Sequence, residues 1–250
     1  MSVNRVIVIV SLCLLASCTS SDTADEAAVE DVVVGPGHDV ELFNGTDLAG
    51  WDKRGGAAKY AVEEGAIVGR SVPNTPNTFL RTDGEFANFE LELDFKIDDP
   101  TFNSGVQIRS HSRPGRSGEV VYGYQVEIDP RRDRKWTAGI YFEGGSEHRK
   151  AGWLDDLDDN RAAQDAFRLG AWNHLRIRAV GRRIQTWLND VPAADYTDTD
   201  EDAFTPTGFI ALQVHSVGGA EEPKEVRWKN IQLTVFDTPP SDQEGGESAN

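Results

Sequence analysis

Apolar residues return at every second position through most of the middle of the chain. Phe89, Leu91, Leu93, Phe95 and Ile97 alternate with Glu90, Glu92, Asp94 and Lys96, the pattern of a strand with one face buried. Val106 and Ile108 alternate with Gln107 and Arg109, and Tyr124, Val126 and Ile128 with Gln125, Glu127 and Asp129. Leu175, Ile177 and Ala179 alternate with His174, Arg176 and Arg178, and Ile210, Leu212 and Val214 with Ala211, Gln213 and His215. Tyr60-Ala61-Val62 and Ala66-Ile67-Val68 flank Glu63-Glu64-Gly65 and predict a hairpin with glycine in its turn. Gly181-Arg182 turns the chain into Ile184, Thr186 and Leu188. In the last run Val226 and Trp228 are out of phase with Ile231, Leu233 and Val235, which predicts a bulge near Asn230.

Ten or more short strands, with one weak helical segment near Asp159 to Phe167, predict an all-β sandwich or barrel. The stretch from Arg131 to Gly170 is irregular, rich in charge, Gly and Trp, and a loop of that length is usually functional or disordered. The polar ends bound the domain. Residues 18–38 are an acidic tether ending in Gly35-Pro36-Gly37, residues 39–237 form the sandwich, and 238–250 are an acidic tail.

Residues 1–17 have the layout of a secretory signal, with Arg5 as the one charge and an apolar run from Val6 to Ala16. Leu15-Ala16-Ser17-Cys18 resembles a bacterial lipobox, which makes Cys18 the lipidation site and new N-terminus. The other cysteine, Cys13, leaves with the signal, so the mature chain has no disulfide. The expected location is the cell envelope, lipid-anchored and facing the periplasm or exterior. No Asp follows Cys18, which favours the outer membrane in a two-membrane host. The net charge of −17 argues against nucleic acid and fits a neutral ligand.

Three polar strand faces carry candidate chemistry. Gln125, Glu127 and Asp129 share one face, which can bind sugar hydroxyls, exchange protons, hold a hard cation, or simply be solvated. Gln107 and Arg109 share another, where Arg109 can stabilise an oxyanion or form a structural ion pair. His215 falls in phase with Gln213. Trp153, in the irregular segment, is the best placed aromatic to stack on a sugar ring. No zinc-spaced Cys/His cluster, phosphate loop or nucleophile elbow is present. Glu127-Ile128-Asp129 runs into Pro130 and lacks the third carboxylate of a retaining glucanase strand.

Nine motifs in order span nearly all of residues 40–236. They begin with Leu42-Phe43-Asn44-Gly45-Thr46-Asp47-Leu48-Ala49-Gly50-Trp51 and Asn103-Ser104-Gly105-Val106-Gln107-Ile108-Arg109. They continue through Tyr122 to Asp129, Gly139-Ile140-Tyr141, Gly152-Trp153-Leu154, Trp172 to Ile177, Thr186 to Pro192, Gly208 to His215 and Val226 to Ile231. The set resembles the 3-keto-disaccharide hydrolase domain family. The resemblance implies a concanavalin A-like lectin/glucanase jelly-roll sandwich of two antiparallel sheets. It also implies action on glycosides oxidised at C3, small or oligosaccharide, through 1,2-elimination and rehydration.

Two positions depart from the pattern: Phe142 stands where an acid is expected, with Glu143 next to it, and Asp190 replaces a turn glycine. The chemistry needs a base, an oxyanion stabiliser and a proton donor. His215, Glu127 and Asp129 are the candidate acids and bases, and Arg109, or a divalent metal, the enolate stabiliser. Asn103, Gln107, Gln125, Tyr141, Glu143, Trp153 and Gln213 are the candidate substrate contacts. A non-catalytic carbohydrate-binding lipoprotein and an adhesion protein are the competing readings. Replacing Cys18 by Ser is expected to shift the protein from the membrane to the soluble fraction or to leave the signal uncut; unchanged fractionation and processing would refute the lipobox.

Overall fold

The computed structural model describes residues 34–237 except Ser117, Arg132, Ala220 and Glu221. The signal, Cys18, most of the tether and the 238–250 tail lie outside the described residues. The chain begins with β1 (Gly37–Glu41), β2 (Trp51–Gly55), β3 (Lys59–Glu63), β4 (Ala66–Arg70), β5 (Thr78–Phe86) and β6 (Phe89–Ile97). β7 (Ser104–Gly115), β8 (Gly118–Ile128), β9 (Ile140–Glu143) and β10 (Gly152–Asp155) follow, then a short helix α1 (Arg161–Ala166). β11 (Asn173–Val180), β12 (Arg183–Leu188), β13 (Val191–Thr197), β14 (Gly208–Val214) and β15 (Glu225–Phe236) complete it. Gly37 and His38, assigned above to the tether, are thus already in a strand.

The strands form two antiparallel sheets, one in the order β13-β12-β11-β6-β15-β4-β3 and the other β10-β9-β8-β7-β14-β5-β2. This is the expected all-β jelly-roll sandwich. β6 lies inside the first sheet, and its five apolar residues, Phe89 to Ile97, are fully buried while its charged residues are not. Each such side chain contributes about 1.5–3 kcal/mol relative to exposure. The phase change in β15 is a bulge between Lys229 and Gln232, with Asn230 left-handed at φ 52°. It lets β4 pair before the bulge and β1 after it. Glu64 and Gly65 both take positive φ in the β3–β4 hairpin, which suits a two-residue turn.

Two features of the second sheet differ from the sequence reading. The irregular segment contains β9 and β10, which extend the sheet beyond β8. Four-residue strands between glycine-rich connections leave little periodic signal. The β7–β8 hairpin is also broken by a bulge between Ile108 and His111, with Arg109 at φ 45°. Beyond it the hairpin bends across the sheet's outer face as far as β2, where Glu119 pairs with Arg54 at 2.9 Å. Gly123 admits the bulge, since a Cβ there would lie 2.5 Å from Ser110 Oγ. Phe79, Val121, Phe209 and Ala211 form a small second core beneath the bent hairpin.

At another end of the sandwich, Asp198 is fully buried and accepts a hydrogen bond from the Tyr124 hydroxyl and a two-pronged pair from Arg149 at 2.7 and 2.8 Å. Burial raises its pKa, but the bonds from Arg149, Tyr124 and the Asp200 N–H prevail and hold it below the usual aspartate value. Arg149→Met should leave that charge unpaired and cost about 3 kcal/mol, a Tm loss of roughly 6–12 °C. The loss should be full at neutral pH and should shrink as pH falls through the depressed pKa of Asp198, because protonation removes the stranded charge. Thermal melts of both proteins at pH 7 and pH 3 check this.

Candidate functional site

β8, β7 and β14 are neighbours, so the polar phases of their sequences do share one face of one sheet. That face is not solvated. Gln107, Gln125, Glu127 and Gln213 are 0%, 1%, 4% and 0% exposed. Register places Glu127 opposite Gly105 and Gly105 opposite Gln213, with Gln125 opposite Gln107 and Tyr141. Gly105 is needed at the centre: a Cβ there would come within 2.6 Å of the Gln125 side chain, which lies across it.

A pocket of about 180 Å³ opens above this row. Gln125, Glu127 and Gln213 form its base, Tyr141, Glu143 and Trp153 one wall, Asn103 and His215 another, and Arg131 and Arg134 its rim. Two depressions of about 520 and 620 Å³ lie along Asp39 to Gly45 and beside the β2–β3 edge. Chemistry ranks the smaller one first. Three buried side-chain atoms without a hydrogen-bond partner among the described residues, Glu127 Oε2 and Gln213 Oε1 and Nε2, belong to its lining, and none belongs to the larger two. Buried polar groups are rarely left unmatched unless something else is to meet them.

The row has a direction. The Ser110 hydroxyl donates to Gln107 Oε1 (2.6 Å), Gln107 Nε2 to Gln125 Oε1, and Gln125 Nε2 to Glu127 Oε1. Glu127 therefore uses one oxygen as an acceptor and presents the other to the pocket. Burial above all pushes its pKa up to about 8; the Gln125 bond and Arg131 oppose the rise, and the charges of Glu143 and Asp129 add to it. At neutral pH the carboxyl is largely protonated, with its proton on Oε2.

His215, just past β14, is half-buried, and its Nδ1 lies 2.8 Å from Ser216 O. A carbonyl only accepts, so Nδ1 carries the hydrogen of the neutral ring and Nε2 keeps a lone pair. Burial lowers its pKa, aided by the Arg131 charge and opposed by the Ser216 contact and Asp129. Asn77 ties the two sides together, donating to Glu143 Oε1 (3.2 Å) and accepting from Ser216 N (2.9 Å). Burial raises the pKa of Glu143, against that bond, and that of Tyr141, which also feels the Glu143 and Glu127 charges. Trp153 meets Tyr141 and Trp136 edge to face at 5.3 and 4.6 Å.

Eight of the eleven candidate residues line this pocket: Asn103, Gln125, Glu127, Tyr141, Glu143, Trp153, Gln213 and His215. Trp153 comes from strand β10 rather than from a loop. Gln107 stands behind Gln125 as part of the row. Asp129 lies past the end of β8, fully buried, and grips Arg131 with both oxygens at 2.7 and 2.8 Å, with Arg134 3.5 Å away. It positions the rim rather than lining the pocket.

Arg109 is turned out of the site. The bulge sends its guanidinium to the carbonyls of Ala87 (2.7 Å) and Gly181 (2.6 Å), where it ties the two sheets together. Arg131 and Arg134 bring the positive charge that the sequence reading assigned to Arg109, and Arg134 also lies over Trp136 and Trp153. These two arginines, Asn77 and Ser110 were not candidates. The one trace of the arginines in the sequence is the Asp129-Pro130-Arg131 turn itself. Among the described residues no three His, Cys, Asp or Glu side chains are grouped to hold a metal ion. With two arginines at its rim, the donor set does not fit a divalent cation.

The sequence profile of the 3-keto-alpha-glucoside-1,2-lyase-like domain family matches residues 38–234, and the chain belongs to this family. Its function is therefore carbohydrate-related. No curated protein matches the chain significantly. Among solved structures, a candidate glycosyl hydrolase from Parabacteroides distasonis is 20% identical, with 80% of this chain and 94% of that one covered at a TM-score of 0.53. A protein of unknown function with a galectin-like fold from Bacillus subtilis is 9% identical over 81% of this chain and 98% of that one, at 0.55. At such identities they share the fold alone.

Because burial raises the Glu127 pKa, the folded protein binds a proton that the unfolded chain releases between the ordinary glutamate range and about pH 8, so stability falls as pH rises through that window. Glu127→Gln removes the cost while keeping the Oε1 acceptor. It should melt with the wild type at pH 4 and about 3 °C or more above it at pH 9. A variant that melts lower at pH 9 would show Glu127 to be an ordinary ionised carboxylate.

Proposed function

We propose that the chain cleaves 3-keto-glycosides by elimination and rehydration, with His215 as base and Glu127 as acid. The observation that carries the reading is a buried carboxyl with one oxygen unmatched and an imidazole whose Nδ1 is taken up by Ser216 O, both lining one small pocket. A C3 ketone acidifies the C2 hydrogen. His215 Nε2 takes that proton and the C–H electrons pass into a C2–C3 enolate whose charge falls on the C3 oxygen. The enolate then reforms the ketone, C1–C2 becomes a double bond, and the C1–O bond breaks as the leaving oxygen takes the Glu127 Oε2 proton. In rehydration water adds at C1 and gives a proton to Glu127, while His215 returns one to C2. Arg131 and Arg134, held by Asp129, supply positive potential for the enolate. The Tyr141 and Trp153 faces offer a wall to a sugar ring. The lipobox at Cys18 would place this activity at the cell envelope.

Incubating the protein with a 3-keto-glucoside should release 3-ketoglucose. Binding without release is the outcome expected of a carbohydrate-binding module. His215→Gln and Glu127→Gln should each lower the rate about 10²–10⁴-fold. The kcat/KM profile should be bell-shaped, rising with pH as His215 loses its proton below the ordinary histidine value of 6.5 and falling as Glu127 ionises near pH 8. The alkaline limb should be absent from the residual activity of Glu127→Gln; its persistence would assign the acid elsewhere.

A further inference from the structure

Asn77 does not line the pocket, yet it holds a residue on each side of it. It stands just before β5, where Thr78 pairs with Val214, so it arrives level with the His215–Ser216 step. β9 is separated from β5 in the sheet by β8, β7 and β14, but Glu143 at the end of β9 comes back to Asn77 Nδ2. The Asn77 backbone is itself fixed. Its carbonyl accepts from Gly56 N–H at 2.9 Å, and a Cβ on Gly55 would stand 2.5 Å from that oxygen. The side chain therefore reaches both partners from a held position.

The partners fix which way the amide points. Ser216 N–H only donates, so Oδ1 faces it, at 2.9 Å. Nδ2 then meets Glu143 Oε1 at 3.2 Å, and a carboxylate accepts that bond. A reversed amide would set its NH2 against the Ser216 N–H. The residue that Asn77 holds by its N–H also offers its carbonyl to His215 Nδ1, 2.8 Å away. Carboxylate, amide, Ser216 and imidazole thus share one consistent set of hydrogen positions, which leaves the His215 lone pair on Nε2.

We propose that Asn77 is a positioning residue that fixes the tautomer of His215, acting through Ser216. With the Ser216 N–H released, the Ser216 carbonyl is free to turn away from Nδ1. The ring hydrogen can then sit on Nε2, and the pocket meets a donor in place of a base. That His215 removes a C2 proton rests on the lyase reading; the hold on its ring does not.

Nitrogen-15 NMR of the full-length chain with labelled histidine, at pH 8, tests this, because protonated and unprotonated ring nitrogens resonate far apart. His215 is identified among the five histidines by its loss in His215→Gln. In the wild type its hydrogen should lie on Nδ1. Asn77→Ala should move it wholly or in part to Nε2. The same variant should lower kcat for 3-ketoglucose release about 3- to 10-fold, the worth of one hydrogen bond, with KM within about 2-fold. Asn77→Asp keeps an acceptor for the Ser216 N–H and loses the donor to Glu143, so it should keep the wild-type His215 signals. A purely structural asparagine would lower the Tm of Asn77→Ala and leave both the signals and kcat in place. Folding should survive, since Asn74 N–H also holds this turn through Val217 O at 3.1 Å. If Asn77→Ala does not fold, Asn77→Leu removes the same two bonds while keeping the volume; failure of both makes the role structural, and the proposal falls. His215 signals unmoved in Asn77→Ala, or moved equally in Asn77→Asp, overturn the proposal. Signals that move while kcat does not, or a wild type that releases no 3-ketoglucose, retain the hold on the ring and remove His215 as the base. Release in the wild type with signals and kcat indifferent to Asn77 does the reverse.

Discussion

The hydrogen-bonded row Ser110–Gln107–Gln125–Glu127 runs across two strands and ends on one oxygen of a buried carboxyl. Its direction leaves the other oxygen unmatched and aimed at the pocket. A carboxyl with two or three donors would hold its charge and act as a base or an ion-pair partner. With a single neutral donor and full burial the balance reverses, and the group is an acid at neutral pH. The Glu143 and Asp129 charges reinforce that state while Arg131 limits it.

The rest of the sandwich makes this arrangement possible. The core between the sheets holds β7, β8 and β14 in register, and the bulge at Arg109 bends the far hairpin over the outer face. That bend covers the small second core of Phe79, Val121, Phe209 and Ala211. The same bulge turns Arg109 into the joint between the sheets, so one local irregularity both redirects the hairpin and fastens the fold. The unmatched atoms of Glu127 and Gln213 cost stability, and the two-sheet core is large enough to offset them. Local destabilisation of this kind is expected where a site is built to meet a ligand.

The strands, the β3–β4 turn and the β15 bulge were legible because each leaves a mark in the two-residue period: a continued alternation, a glycine, a phase slip at Asn230. Most of the pocket was legible for the same reason, since Gln125, Glu127, Gln213 and His215 keep the polar phase of adjacent strands. Arg109 was misread because Ile108-Arg109-Ser110-His111 shows no glycine and no phase error; a left-handed arginine leaves no mark in sequence. Arg131, Arg134 and Asn77 lie outside regular strands and reach the pocket through tertiary contacts that periodicity does not encode. The burial of the polar row was equally hidden. Alternation reads as one wet face, whereas Gln107, Gln125, Glu127 and Gln213 are all buried.

The mechanism depends on Glu127 being a neutral acid under working conditions, held so by burial and by its single bond from Gln125. Carbon-13 NMR titration of the glutamate side-chain carboxyls, with the Glu127 signal assigned through Glu127→Gln, measures this directly. One glutamate carboxyl should titrate near pH 8 and disappear from the variant's spectrum. A Glu127 signal that titrates between pH 4 and 5, with the other glutamates, would contradict it.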